Sequence, residues 1–145
     1  MKAKILRALF WGGLLPSSAL VANEAFALCT NGRHPDVVAE LKASEMVVTA
    51  IVVSGRDESS SEDPQGVEDT IYTVRVLEVF KGKPDRLVRI TSENTSSRFP
   101  MDIGKKYLLF ITRDGQTRFI DACGRSGSVA ERAAEIQALK KVGKS

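Results

Sequence analysis

Few side chains in this sequence can attack, chelate or crosslink, and their spacing limits what they can do together. The chain has two cysteines, Cys29 and Cys123, and one histidine, His34. A metal site needs several convergent ligands, and beyond the cysteine pair only His34 is on offer, so no metal or cofactor is expected. A serine hydrolase needs a nucleophile and a base. Gly124-Arg125-Ser126-Gly127 is part of a nucleophile elbow, but Ser128 stands where the final glycine belongs, and His34 is the sole imidazole. His34 beside Pro35 reads more simply as a helix-entry residue, and catalysis is not expected.

The start of the chain decides which chemistry the cysteines meet. Lys2, Lys4 and Arg7 form a positive start, Ala8 to Leu15 is apolar, and Ala25-Phe26-Ala27 supplies the small residues of a signal-peptidase site. The uncharged stretch from Ala8 to Asn23 contains Pro16 and two serines. It is short for a membrane span, which takes roughly 20 apolar residues. Residues 1–27 are therefore expected to be a cleaved signal peptide, with no stable membrane anchor afterwards. Residues 28–145 are expected to form one domain that is periplasmic or secreted. In that oxidising setting two cysteines most economically form one disulfide, worth roughly 4–5 kcal/mol at most by loop closure. Two buried free thiols, or a metal pair, are the competing readings.

Charge narrows the partner classes. The whole chain carries 21 Lys+Arg against 18 Asp+Glu among 145 residues. The leader takes Lys2, Lys4, Arg7 and only one acid, Glu24, so the exported part is close to neutral. Nucleic-acid binding is driven largely by cationic neutralisation of phosphates, and no such partner is expected.

Hydrophobic patterning then supplies the frame. His34-Pro35-Asp36 opens a short helix, with proline at the first helical position, Val37, Val38 and Leu41 on one face, and an end near Ser44. Met46 to Ser54 reads as a buried strand and Arg56 to Asp69, with six acids, as a solvated loop. Thr70 to Phe80 alternates with aliphatics on both faces, which suits a curved sheet. Arg86 to Thr91, Tyr107 to Ile111 and Thr117 to Ala122 complete five strands, with a polar loop from Ser92 to Gly104. Ser128 and Glu131 form a capping box ahead of a helix whose stripe is Val129, Ala133, Ile136 and Leu139. The expectation is an all-β fold with flanking helices: a five-stranded, closed, OB-fold-like barrel with a short N-terminal helix and a C-terminal helix packed on it.

Several residues in order strengthen this reading. They are Cys29, His34-Pro35, Ser44-Glu45-Met46-Val47 leading to Ala50 and Gly55, and Tyr72 to Gly82 with its closing Lys-Gly. Gly104 with Tyr107-Leu108-Leu109-Phe110, and Cys123-Gly124-Arg125-Ser126 before a helix, continue the series. In this the chain resembles the netrin-like module, the fold of the inhibitory domain of tissue inhibitors of metalloproteinases, in its bacterial type. The resemblance implies a Cys29–Cys123 disulfide and a protein-binding edge of Leu28, Cys29, Thr30, Ser96, Ser97, Arg98 and Phe99. The family's inhibitors present the amine and carbonyl of a first-residue cysteine to a protease zinc. This chain departs from that pattern. Ala27 stands where the family's first cysteine belongs, and the loop from Ser92 to Phe99 has no cysteine to pair with it. The implied function is an exported, non-catalytic, monomeric binding module for another exported or extracellular protein. A zinc metalloprotease is the family-level partner, and the missing first bridge counts against inhibition itself. A glycan- or ligand-binding OB-type barrel is the other reading, with a small periplasmic hydrolase behind it.

Overall fold

The computed structural model describes residues 34–143. The proposed signal peptide, Leu28, Cys29 and Thr30 lie outside the described residues. In chain order the elements are α1 (Val37–Ala43), β1 (Met46–Glu58), β2 (Asp69–Lys81), β3 (Leu87–Glu93), β4 (Lys106–Asp114), β5 (Thr117–Ile120), β6 (Gly127–Ser128) and α2 (Ala133–Val142). Among the described residues no helix is long and apolar enough to cross a membrane.

The strands form one antiparallel sheet in the order β3-β2-β1-β4-β5, and β6 adds two residues along β4. The sheet curls because β1 and β2 do not run in simple register. Shifts leave Phe80 and Leu77 on β2, and Val53 on β1, without a residue opposite. Each such bulge bends the ladder and increases its twist. The same bulges break the plain two-residue alternation expected for β2. Tyr72 and Val74 point into the inner core, Phe80 packs on the opposite face, and Leu77 is left 49% exposed.

The two central strands are buried on both faces. Met46, Val48, Ala50 and Val52 of β1 join Tyr107, Leu109 and Ile111 of β4 in the inner core, with Val88 and Ile90 from β3. Val47, Leu108 and Phe110 face outward, and Ile136 and Leu139 of α2 cover them, with Val37 and Leu41 of α1 and Val129 alongside. A fully buried side chain of this size contributes about 1.5–3 kcal/mol, so both layers are substantial. The C-terminal helix thus packs on the sheet as its stripe implied, although Ala133 stays exposed, as does Val38 on α1.

The closed barrel expected from the sequence is not formed; the sheet is open. Its edge strands β3 and β5 approach and line a common cleft. Among the described residues no backbone hydrogen bond joins them. The reason is local. β5 ends at Ile120 because Asp121 turns the chain, its side-chain Oδ1 accepting the Cys123 N–H at 2.8 Å and its carbonyl the Gly124 N–H at 3.0 Å. β5 spends its four residues pairing with β4, from Ile111↔Ile120 to Asp114↔Thr117, and ends there.

Smaller corrections have equally physical causes. Pro35 precedes α1 rather than opening it. Asp36 is the N-cap, its Oδ1 accepting Val38 and Ala39 N–H at 2.9 and 3.2 Å. The acidic loop is shorter than expected, since β1 and β2 stay paired out to Glu58 and Asp69. The Ser128–Glu131 box does form: the Ser128 hydroxyl donates to Glu131 at 2.7 Å. It shapes a turn ahead of α2, which itself begins at Ala133. Gly82 closes β2 at φ +85°, where a Cβ would come 2.9 Å from the Met46 Cβ, so glycine is required there.

Candidate functional site

Two segments are bonded together, the entry to α1 and the turn after β5, and the loop between β3 and β4 lines a cleft with Asp121 of that turn. Each is held by bonds that local sequence does not reveal. His34 Nδ1 lies 3.2 Å from the Cys123 carbonyl oxygen, an acceptor that calls for the proton on Nδ1. Arg125 Nε donates to the Pro35 carbonyl, and Arg125 Nη1 lies 3.1 Å from Glu135 on α2. Both Glu40 oxygens accept the Arg125 backbone N–H, at 3.0 and 2.9 Å. Gly124 allows that approach, because a Cβ there would fall 2.3 Å from the Glu40 Oε1. Burial pushes the Glu40 carboxyl up from its ordinary value; the Arg125 N–H opposes this and Asp121 adds to it.

The loop between β3 and β4 is anchored from beneath. Ser92 Oγ accepts the Phe99 N–H at 3.2 Å, and lies 3.3 Å from the Phe99 carbonyl oxygen, to which it donates. Tyr72 and Tyr107 hydroxyls accept the N–H groups of Met101 and Asp102, at 3.2 and 3.0 Å. Phe99 stands edge-on to Tyr107, centroids 6.2 Å apart, and packs against the inner core. Phe99 is half-buried beneath the loop. Ser96, Ser97 and Arg98 are exposed as expected. Ser97 and Asp121 line the same cleft.

That cleft has a volume of about 550 Å³, and its walls come from β3, β4, β5 and the two adjoining segments. Thr91, Ser97 and Thr117 offer hydroxyls to it, Glu93 and Asp114 carboxylates, and Phe119 an aromatic ring. No sequence signal pointed to this cleft, because its residues come from strands brought together only by the curl.

The partial elbow around Ser126 is built for structure. Ser126 is 4% exposed and its Oγ accepts the Phe110 backbone N–H at 2.9 Å. Its carbonyl accepts from Arg132 Nε at 3.3 Å. The hydroxyl therefore ties the chain to β4 at the point where β6 starts. Among the described residues no group of three or more His, Cys, Asp or Glu side chains is placed to hold a metal ion. No family model and no curated protein matches the chain.

Proposed function

We propose that this chain is an exported, non-catalytic binding module of the netrin-like type, whose recognition edge lies where the first residues after the signal peptide meet the Cys123 turn and the Ser96–Arg98 loop. The observation that carries the reading is the meeting of His34 with Cys123, 3.2 Å apart, beside a cleft that Ser97 and Asp121 share. The strand order and the helix at each end of an edge-to-edge curled sheet support kinship with a partly open Greek-key barrel.

The Cys29–Cys123 disulfide belongs to the same proposal. Cys29 precedes His34 by five residues, a stretch able to span about 17 Å, so a chain pinned at His34 has the reach to bridge at Cys123. No free cysteine occurs among the described residues. The partner is another exported or extracellular protein, with a zinc metalloprotease as the family-level candidate, and the module works as a monomer. Ser126 supports a non-catalytic role, since its hydroxyl is committed to the Phe110 amide.

N-terminal sequencing of the exported protein, joined to a non-reducing peptide map, tests the processed start and the pairing together. A start at Leu28 and a peptide joining Cys29 to Cys123 are expected; an uncleaved leader or two unpaired thiols would overturn the proposed edge. Assays of the oxidised protein against a panel of zinc endopeptidases then test inhibition separately. No effect at high micromolar protein removes inhibition and leaves a binding role.

A further inference from the structure

We propose that a small hollow between β3 and the β4–β5 turn is a binding site for a carboxylate carried on a short aliphatic stem. None of its lining residues is assigned to the recognition edge, so the site does not depend on that reading. The hollow measures about 300 Å³ and is lined by Ile71, Arg89, Thr91, Gln116, Thr117 and Arg118. Its size sits at the lower end of the range usual for small-ligand sites, about 300–1,000 Å³. All of these side chains except Ile71 carry hydrogen-bond donors.

The positive charge here is not spent within the molecule. Arg89 on β3 has no side-chain hydrogen-bond or ion-pair partner among the described residues. Arg118 donates Nε and Nη2 to Glu45, both at 3.3 Å, and its Nη1 makes no bond among the described residues. Glu45 is also held by Arg113, so that trio keeps one surplus positive charge. The Thr91 and Thr117 hydroxyls and the Gln116 carboxamide likewise make no side-chain bonds among the described residues. An unpaired guanidinium beside uncommitted hydroxyl and amide donors matches a carboxylate, whose two oxygens accept charge-assisted bonds from the guanidinium fork.

Two features select among anions. The larger cleft has Thr91 and Thr117 in common with the hollow, and it carries Glu93 and Asp114 in its own lining. Their carboxylates raise the cost of a second negative charge on the ligand, which counts against phosphate and sulfate dianions. Ile71, half-buried, adds an apolar wall for a carbon stem, which an inorganic anion lacks. A carboxylate reaches such a site either on a free small molecule or as an acidic side chain of another protein. The chemistry that holds it is the same.

The test is a set of amide ¹H–¹⁵N correlation titrations of the folded chain at fixed ionic strength. The probes are butyrate, the capped peptide acetyl-Gly-Glu-Gly-amide, inorganic phosphate and sulfate. At least one of the two carboxylates is expected to shift the amides of Thr91, Gln116 and Thr117 saturably, and to bind more tightly than phosphate or sulfate. Tighter binding of butyrate assigns the site to a free acid, and tighter binding of the peptide to an acidic side chain; either supports the proposal. Arg89→Gln should weaken carboxylate binding about tenfold or more, and Thr117→Val should weaken it severalfold. Both residues are exposed, so the variants keep the fold, and preserved dispersion in their spectra checks this. The proposal is overturned if neither carboxylate moves these amides, if phosphate or sulfate binds as tightly, or if both variants bind unchanged.

Discussion

Glu40 on α1 holds Arg125 across the molecule, its two carboxylate oxygens 3.0 and 2.9 Å from a single backbone N–H. The bond fixes the turn that follows β5 against the helix that precedes β1. Through Arg125 the connection extends to Pro35 and to Glu135 of α2. Cys123 is carried on this turn, so Glu40 positions the candidate edge without being part of its surface.

Removing the clamp should cost more than removing its charge. Glu40→Ala leaves the partly buried Arg125 N–H without an acceptor and is expected to destabilise by about 1–3 kcal/mol. Glu40→Gln keeps an acceptor oxygen and should lose less. The raised carboxyl of Glu40 also makes a signed prediction. The folded chain holds this proton more tightly than the unfolded one, so this group's contribution to stability rises as pH falls through the folded value toward the ordinary one. Denaturant melts of the parent and of both variants across that window check this; equal losses for Ala and Gln would show that the acceptor does not matter.

Glu45 should behave in the opposite sense. It is partly desolvated, but hydrogen bonds from Arg118 and Arg113 hold its carboxyl below the ordinary value. Its contribution is present above the unfolded carboxylate value and is lost as pH falls through the folded one. Glu45→Gln should therefore be less stable than the parent at neutral pH and equal to it in acid. A gap that persists unchanged in acid would point to packing instead of charge.

Lys81 ends β2 and supplies the C-terminal cap of α1. Its ammonium donates to the carbonyls of Leu41, Lys42 and Ser44 at 2.8, 2.7 and 2.6 Å, using all three protons. A cation at a helix C-terminus is favourable on both hydrogen-bond and dipole grounds. Lys81→Met should cost about 1–2 kcal/mol and speed amide exchange at Ser44. Unchanged exchange there would remove the capping role.

The two tyrosine hydroxyls hold the loop between β3 and β4. Tyr72→Phe leaves the buried Met101 N–H unpaired and should cost about 1–3 kcal/mol; Tyr107→Phe, acting on Asp102, should cost less because that site is only partly buried. Crystallographic or NMR analysis should find the Ser96–Arg98 segment displaced in the Tyr72 variant. An unmoved loop would mean that Ser92 and Phe99 suffice to hold it.

Strand and helix positions were largely legible because they follow hydrophobic period. Met46 to Val52 and Tyr107 to Ile111 are apolar runs buried on both faces, as their patterns implied, and Ile136 and Leu139 cover the sheet at helical spacing. Strand ends were less legible. The ladder between β1 and β2 extends into acidic residues, where main-chain pairing decides and side-chain polarity says nothing.

What the amino-acid order determined by itself is the set of amphipathic segments and the turns between them, since both depend on neighbours within a few residues. Tertiary structure alone decided whether the sheet closes, because that depends on bulges at Phe80, Leu77 and Val53 and on how early Asp121 ends β5. It likewise decided which polar groups meet. Glu40 and Arg125 come together only after distant strands have packed, and no local pattern records a bond made across that distance.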